Sequence, residues 1–256
     1  MHILLTNDDG VAAPGLLAAY AGLKERGHRV TVCAPDGQRS ASSQSVTLRR
    51  PIKVAPWAMP DGELGFAVYG TPADCARLGF SVLAKEPVDL VVSGINDDYN
   101  LGYDVNYSGT VAGAIEAAAA GYPALAASVE RCAVYDWKRA VHVLVAVVDN
   151  LSSWSIPQGV AVNLNIPEKL TTGRNEWFWT RTQSAPAEDY YEGEPQPDGS
   201  VMYQRLRNPS GDLVKAREDE RPETDLAHAR SGHITLSPIV PHGVHEATLK
   251  RLAAGA

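Results

Sequence analysis

Ile3-Leu4-Leu5-Thr6-Asn7-Asp8-Asp9-Gly10 runs from an apolar strand straight into a polar corner. Ile3–Thr6 is long enough for a buried strand, and Gly10 supplies the backbone freedom to leave it. Adjacent side chains of a strand point to opposite faces, so Asp8 and Asp9 can converge on one point only where the chain bends into a loop. Two clustered carboxylates repel unless a cation sits between them, which makes a hard divalent metal the natural partner. Solvated acids ahead of a helix N-terminus account for the same residues.

Working outward, the pattern repeats. Pro14–Arg26 has apolar residues at helical spacing (Leu16, Leu17, Tyr20, Leu23), begins on a proline and ends at Gly27. Further strands are predicted over Arg29–Ala34, Phe66–Tyr69, Asp89–Val92, Ala124–Val129 and Val160–Ile166, with helices over Pro72–Ala84, Ser108–Ala120 and Trp137–Asn150. Short apolar strands alternating with helices predict an α/β fold: a Rossmann-like, mostly parallel sheet with helices on both faces. After Pro167 the texture changes. Gln183–Pro222 is polar, acidic and rich in Pro and Gly, with Trp177–Thr182 and Met202–Leu206 as the only strand-like pieces nearby. Thr224–Ser231 reads as a short helix capped by Thr224, and His233–Ser237 as a returning strand. The expected organisation is a Rossmann-like core over residues 1–170 and an irregular, β-rich C-terminal extension over 171–256, together one domain.

Composition narrows the function classes. The 256 residues carry a formal charge of −7 with no long basic block. A nucleic-acid groove needs a basic stripe to neutralise phosphates, so polymeric nucleic acid is not the expected main partner. The longest apolar runs, such as Val141–Val148, are too short to cross a bilayer, and Met1-His2-Ile3-Leu4-Leu5 lacks the features of a signal peptide. The three cysteines, Cys33, Cys75 and Cys132, are scattered, which fits a reducing cytoplasm and small buried side chains better than a disulfide framework.

In an open α/β sheet, ligands bind beyond the carboxyl ends of the strands. Three more places qualify. Ala34-Pro35-Asp36-Gly37-Gln38-Arg39-Ser40, followed by Ser42, Ser43 and Ser45, offers hydroxyl oxygens; it also reads as an ordinary serine-rich loop. Ser93-Gly94-Ile95-Asn96 offers an amide oxygen, or an Asn that stabilises a turn. Tyr107-Ser108-Gly109-Thr110 opens the alanine-rich helix, where free amides and the dipole favour an anion, or where Ser108 is a plain cap. The seven histidines show no H-E-x-x-H or Cys/His zinc spacing, and an oxygen-only shell points to Mg2+ or Mn2+. Neither a G-x-S-x-G elbow nor a Walker glycine loop is present.

Taken together these runs resemble the SurE (survival protein E) nucleotidases. Ile3 to Gly10 looks like the family's opening signature, Ala34-Pro35-Asp36 through Arg39-Ser40 like its second motif, and Gly70-Thr71-Pro72-Ala73-Asp74-Cys75 like its third. Asp89 to Asn96, continuing through Asn100, Gly102, Asp104-Val105 and Tyr107 to Val111, resembles the longest. Asn163 to Pro167, Thr224-Asp225 and Ile234 to Pro238 resemble later blocks. The resemblance implies one divalent cation per subunit, Mg2+ or Mn2+, held by Asp8, Asp9, Ser40 and Asn96. It implies hydrolysis of nucleoside 5'- and 3'-monophosphates, with short polyphosphate as a further substrate. Asp8, Asp9 and Asn96 carry the expected catalysis, and Ser108, Gly109, Thr110 and Asn100 the phosphate. It further implies a homodimer or homotetramer, with the segment after Pro167 as the exchanged arm. Two roles stay open for Tyr99, Tyr103 and Tyr107: stacking on the base, or core packing. One departure stands out. The family usually has glycine at the second position after the metal-binding Asn, and here it is Asp98. An acid there predicts a strained backbone, repulsion of the phosphate or a pull on the metal. The alternatives are a phosphatase on a non-nucleotide substrate and a nucleotide-binding module slowed by Asp98.

Overall fold

The computed structural model describes residues 1–171, 176–182, 190–206 and 222–240. Its strands are β1 (His2–Thr6), β2 (Arg29–Pro35), β3 (Val54–Ala58), β4 (Leu64–Val68), β5 (Leu90–Asn96), β6 (Ala124–Val129), β7 (Ala161–Ile166), β8 (Trp177–Trp179), β9 (Tyr190–Pro195), β10 (Val201–Leu206) and β11 (Ile234–Ile239). Nine of them form one sheet in the order β3-β4-β2-β1-β5-β6-β7-β11-β8, and β9 and β10 form a separate antiparallel hairpin. From β4 to β7 all neighbours run parallel. The fold is therefore α/β with a mostly parallel sheet, as the alternating pattern predicts.

The alternation along β1 shows why both faces are covered. Ile3 and Leu5 pack against Leu16, Ala19 and Leu23 of α1 (Pro14–Glu25) and Val143, Leu144 and Val147 of α4 (Trp137–Leu151). Leu4, between them, turns to the opposite face and meets the layer formed by α2 (Pro72–Leu78) and α3 (Gly109–Ala119), with Cys75, Val111, Ala114 and Ala117. All three β1 side chains are wholly buried, so truncating one to alanine costs about 2–5 kcal/mol.

Several boundaries differ from the predicted ones. The helix predicted over Pro72–Ala84 ends at Leu78 and continues as one π-type turn over Gly79–Leu83. Strand β3 was not expected because Pro56 interrupts its pattern. It lies at the sheet edge, pairs only with β4, and there a proline is tolerated. The predicted 177–182 strand shortens to β8, and the strand predicted from His233 lengthens to Ile239. β11 returns between β7 and β8, antiparallel to β7. Thr224 caps the last helix, α5 (Asp225–Arg230), by accepting from the Ala227 amide at 3.3 Å. Cys33 and Cys75 are buried as expected, but Cys132 is half-exposed in the loop after β6. His242, His245 and the chain beyond Pro241 lie outside the described residues.

Candidate active site

The corner after β1 is shaped by Asn7. Its side chain donates to the Gly10 carbonyl at 3.0 Å and accepts from the Gly10 amide at 3.1 Å, folding the chain over itself within three residues. Gly10 sits at φ +106°, and a methyl there would come within 3.0 Å of Gly37 Cα, so no other residue fits comfortably. This turn releases Asp8 and Asp9 from strict strand alternation. The Asn7 role was missed from the sequence, although Asn followed three residues on by Gly is a recognisable side-chain-to-backbone turn signal.

Asp8 is buried, and its carboxylate accepts a hydrogen bond from the Thr110 hydroxyl in the first turn of α3. The contact is close because Gly109 has no side chain: a methyl on it would come within 2.7 Å of Asp8 Cβ and 2.8 Å of Ser42 Oγ. Burial raises the Asp8 carboxyl above the usual range, while the Thr110 hydroxyl and main chain pull it back. Asp9 is pushed up to about 7, chiefly by burial and then by the charges of Asp8 and Asp97, with hydrogen bonds from Gln38 and the Asp97 backbone opposing the rise. Neither carboxylate has an ion-pair partner among the described residues. Arg39 belongs to the second motif, but its guanidinium pairs with Asp36 at 2.7 Å. Two desolvated acids with raised proton affinity and no cation of the protein's own form a site that a divalent ion would relieve.

The other predicted ligands take different positions. Asn96 ends β5, next to β1, and is buried; its nitrogen donates to the Asp98 carbonyl at 2.6 Å, which leaves Oδ1 as the atom able to face a cation. Ser40 is exposed, one residue after Arg39, whose amide donates to the Asp8 carbonyl at 2.6 Å. The loop carrying it is fastened by Ser43, whose amide and hydroxyl donate to the Tyr107 and Asn106 carbonyls at 2.9 and 2.7 Å. Among the described residues no three His, Cys, Asp or Glu side chains are grouped to hold a metal. A cation here would take two carboxylates and complete its shell with neutral oxygens, the donor set that suits Mg2+ or Mn2+.

Ser108 caps α3 by accepting from the Val111 amide at 3.0 Å, so the plain-cap reading of its hydroxyl holds as well. Gly109 and Thr110 present the first amides of an eleven-residue helix to the same corner as Asp8. Asn100 lies on the β6 side of Asn96, whose register partner on β6 is Ser128. Its side chain donates to Ser128 Oγ at 2.8 Å, its amide to Asn165 Oδ1 at 2.9 Å, and its carbonyl accepts from Asn163 at 2.7 Å and Asn165 at 3.1 Å. All these partners are on β6 and β7, beyond β5 from the Asp8 corner.

Tyr99 is buried and donates to Glu130 at 3.3 Å, so it packs. Tyr107 is exposed with Tyr103 against it edge-on. Asp98 does not occupy a left-handed conformation, and the expected strain is absent. Its carboxylate accepts from the Tyr99 amide at 2.9 Å and faces Arg131 at 3.4 Å, an arrangement that supports neither repulsion of a phosphate nor a pull on a metal.

With this geometry in place, known proteins can be set beside it. The family model described as Survival protein SurE matches residues 3–189. The chain belongs to the SurE family. Curated SurE relatives named 5'-nucleotidase SurE include one from Thermosipho melanesiensis, 36% identical over 98% of this chain and 96% of the relative. Another, from Fervidobacterium nodosum, is 37% identical over the same shares. The crystal structure of the SurE protein from Aquifex aeolicus superposes with a TM-score of 0.80 at 30% identity, covering 98% of both chains. The SurE resemblance therefore extends from the motifs to the whole sheet.

Proposed function

We propose that this SurE chain is a divalent-metal-dependent 5'-nucleotidase that hydrolyses nucleoside monophosphates to nucleoside and phosphate. The single observation that carries the proposal is the corner where buried Asp8 and half-buried Asp9, with no basic side chain paired to either among the described residues, meet the start of α3. The names of its curated relatives point to the same substrate class.

Asp8, Asp9, Ser40 and Asn96 are the residues that would hold Mg2+ or Mn2+. When bound, the cation supplies Lewis-acid polarisation of the phosphoryl oxygens. The protein's own groups do the rest. The Gly109 amide and the Ser108 hydroxyl donate to the phosphate, whose developing charge the helix dipole favours, with Thr110 lining the same site through its hold on Asp8. Thr110 fixes Asp8 in one rotamer, so the acid does not turn into the substrate's place. Asp9 or Asp8, beside the cation they would hold, is placed to orient the attacking water. Because the corner grips a terminal phosphoryl group, 3'-monophosphates and short polyphosphate fall within the same proposal. A homodimer or homotetramer in the cytoplasm completes it, and sedimentation of the purified protein tests the assembly.

Phosphate release from AMP and GMP, measured with and without EDTA, is the test. Chelation should abolish turnover and Mn2+ or Mg2+ should restore it. Full activity in EDTA would remove the metal from the mechanism, and turnover confined to non-nucleotide esters would replace the substrate.

A further inference from the structure

We propose that the pocket beyond the carboxyl ends of β6 and β7 is the nucleobase subsite, an inference that rests on the nucleotidase function above. The pocket encloses about 220 Å3 and is walled by Glu130, Cys132, Tyr135, Trp137, Arg139 and Glu168, with Val129 and Ile166 beneath. That volume is below the roughly 300–1,000 Å3 of pockets for drug-sized ligands, so it suits a single ring system, not a whole nucleotide.

Three features give the occupant its chemistry. Tyr135 and Trp137 stack on each other, centroids 4.9 Å apart and planes inclined by 22°, and anchor an aromatic wall to the core. Planar π-faces of this kind hold bases of any sequence. Arg139 is fixed by a hydrogen bond from Nη2 to the Pro167 carbonyl at 2.6 Å, while its Nε is buried without a partner. An orphaned buried donor is costly unless a ligand acceptor meets it. Glu130, which accepts from the Glu168 amide at 2.8 Å, sets a carboxylate in the same wall. One donor and one acceptor over an apolar floor match the polar edge of a heteroaromatic base, which carries ring nitrogens beside amino or carbonyl groups.

The pocket also communicates with the acidic corner. Tyr135 donates its hydroxyl to the Asp97 carbonyl at 2.6 Å, and the backbone of Asp97 hydrogen-bonds the Asp9 carboxylate. A nucleotide with its phosphate at α3 and its base against Tyr135 would thus lie along the carboxyl edge of the sheet. Exposed Tyr107 is the rival stacking surface, but its ring has an edge-on contact with Tyr103 and shares no wall with this pocket.

Cys132 makes the test direct, because the other two of the chain's three cysteines are buried. Alkylation of Cys132 by iodoacetamide is followed by mass spectrometry on the unmodified full chain. Adenosine at ten times its dissociation constant should slow the reaction about tenfold, the factor expected for a protected site. Inorganic phosphate should leave the rate unchanged. After alkylation, KM for AMP should rise on the order of tenfold while hydrolysis of p-nitrophenyl phosphate, which has no base, is unaffected. If adenosine, guanosine, cytidine and uridine all fail to protect Cys132, or phosphate protects as well as they do, the subsite is overturned. The same holds if Tyr107→Ala abolishes adenosine binding with Cys132 never protected. AMP hydrolysis by the untreated protein reports separately on the nucleotidase reading itself.

Discussion

Two polar clusters lie at the carboxyl edge of the same sheet, and they are built on opposite principles. At the β1 corner, Asp8 and Asp9 are desolvated acids whose proton affinity is raised and whose charge no basic side chain among the described residues balances. Over β6 and β7, Asn100, Asn163, Asn165 and Ser128 form a neutral lattice in which the Asn100 and Asn165 groups answer one another. The first cluster carries charge without a counter-charge among the described residues; the second is neutral and mutually bonded, with Asn163 Oδ1 its one buried side-chain atom left without a partner. Desolvation is common to both; what separates them is uncompensated charge in the first and neutral, largely mutual hydrogen bonding in the second.

The largest effect should come from breaking the acidic corner. Asp8→Asn keeps the shape and the Thr110 contact but removes a charge, and kcat for AMP should fall on the order of 10²–10³-fold, about 3–4 kcal/mol. Its urea midpoint should not fall, because an unbalanced buried charge is gone. The neutral lattice should behave inversely. Asn165→Ala strands the Asn100 amide, so stability should drop by about 1–3 kcal/mol in urea titration while kcat/KM for AMP stays within threefold. A catalytic collapse in Asn165→Ala with unchanged stability would erase the distinction drawn between the two clusters.

A third experiment sharpens the comparison with an acid that is satisfied. Burial opposes ionisation of Asp74, but hydrogen bonds from Thr47 and Thr71 outweigh it, and the carboxyl titrates below its ordinary value. A lowered folded pKa gives stability that is present above the unfolded value near 4 and is lost as pH falls through the folded one. Asp74→Asn, which also weakens the capping box at α2, should cost about 1 kcal/mol at pH 6, a cost that shrinks as pH falls through the lowered folded pKa, read by thermal melts. Smallest of all is Asp98→Gly. The Asp98–Arg131 contact is long and largely exposed on the arginine side, so AMP turnover should change less than about twofold. Restored or greatly increased turnover would mean that Asp98 restrains the enzyme after all.

How much of this was legible in the sequence differs between the clusters. Period-two burial in Ile3, Leu4 and Leu5 and the helical spacing of α1 are local signals, and the parallel core followed from them. Asp8, Asp9 and Asn96 could be picked out because each stands directly after an apolar run. What escaped were pairings made at long range. The resemblance implies a phosphate role for Asn100, but its hydrogen-bond partners, 28 to 65 residues away, are disclosed only by the folded sheet. β3 was hidden by Pro56, which is unfavourable inside a sheet and acceptable at its rim. The pocket at Tyr135 gave no signal either, since Trp137 begins a helix and reads as ordinary core.

The same Pro56 bears on how the protein keeps to itself. A sheet rim offers unpaired amides and carbonyls on which another molecule's strand can dock, and growth of that kind leads toward fibrils. On the β3 side a ring nitrogen without a proton interrupts that row, with the bulky Trp57 half-exposed beside it. The rim is thereby a poor template for a neighbour's strand, a safeguard carried by one residue far from any chemistry.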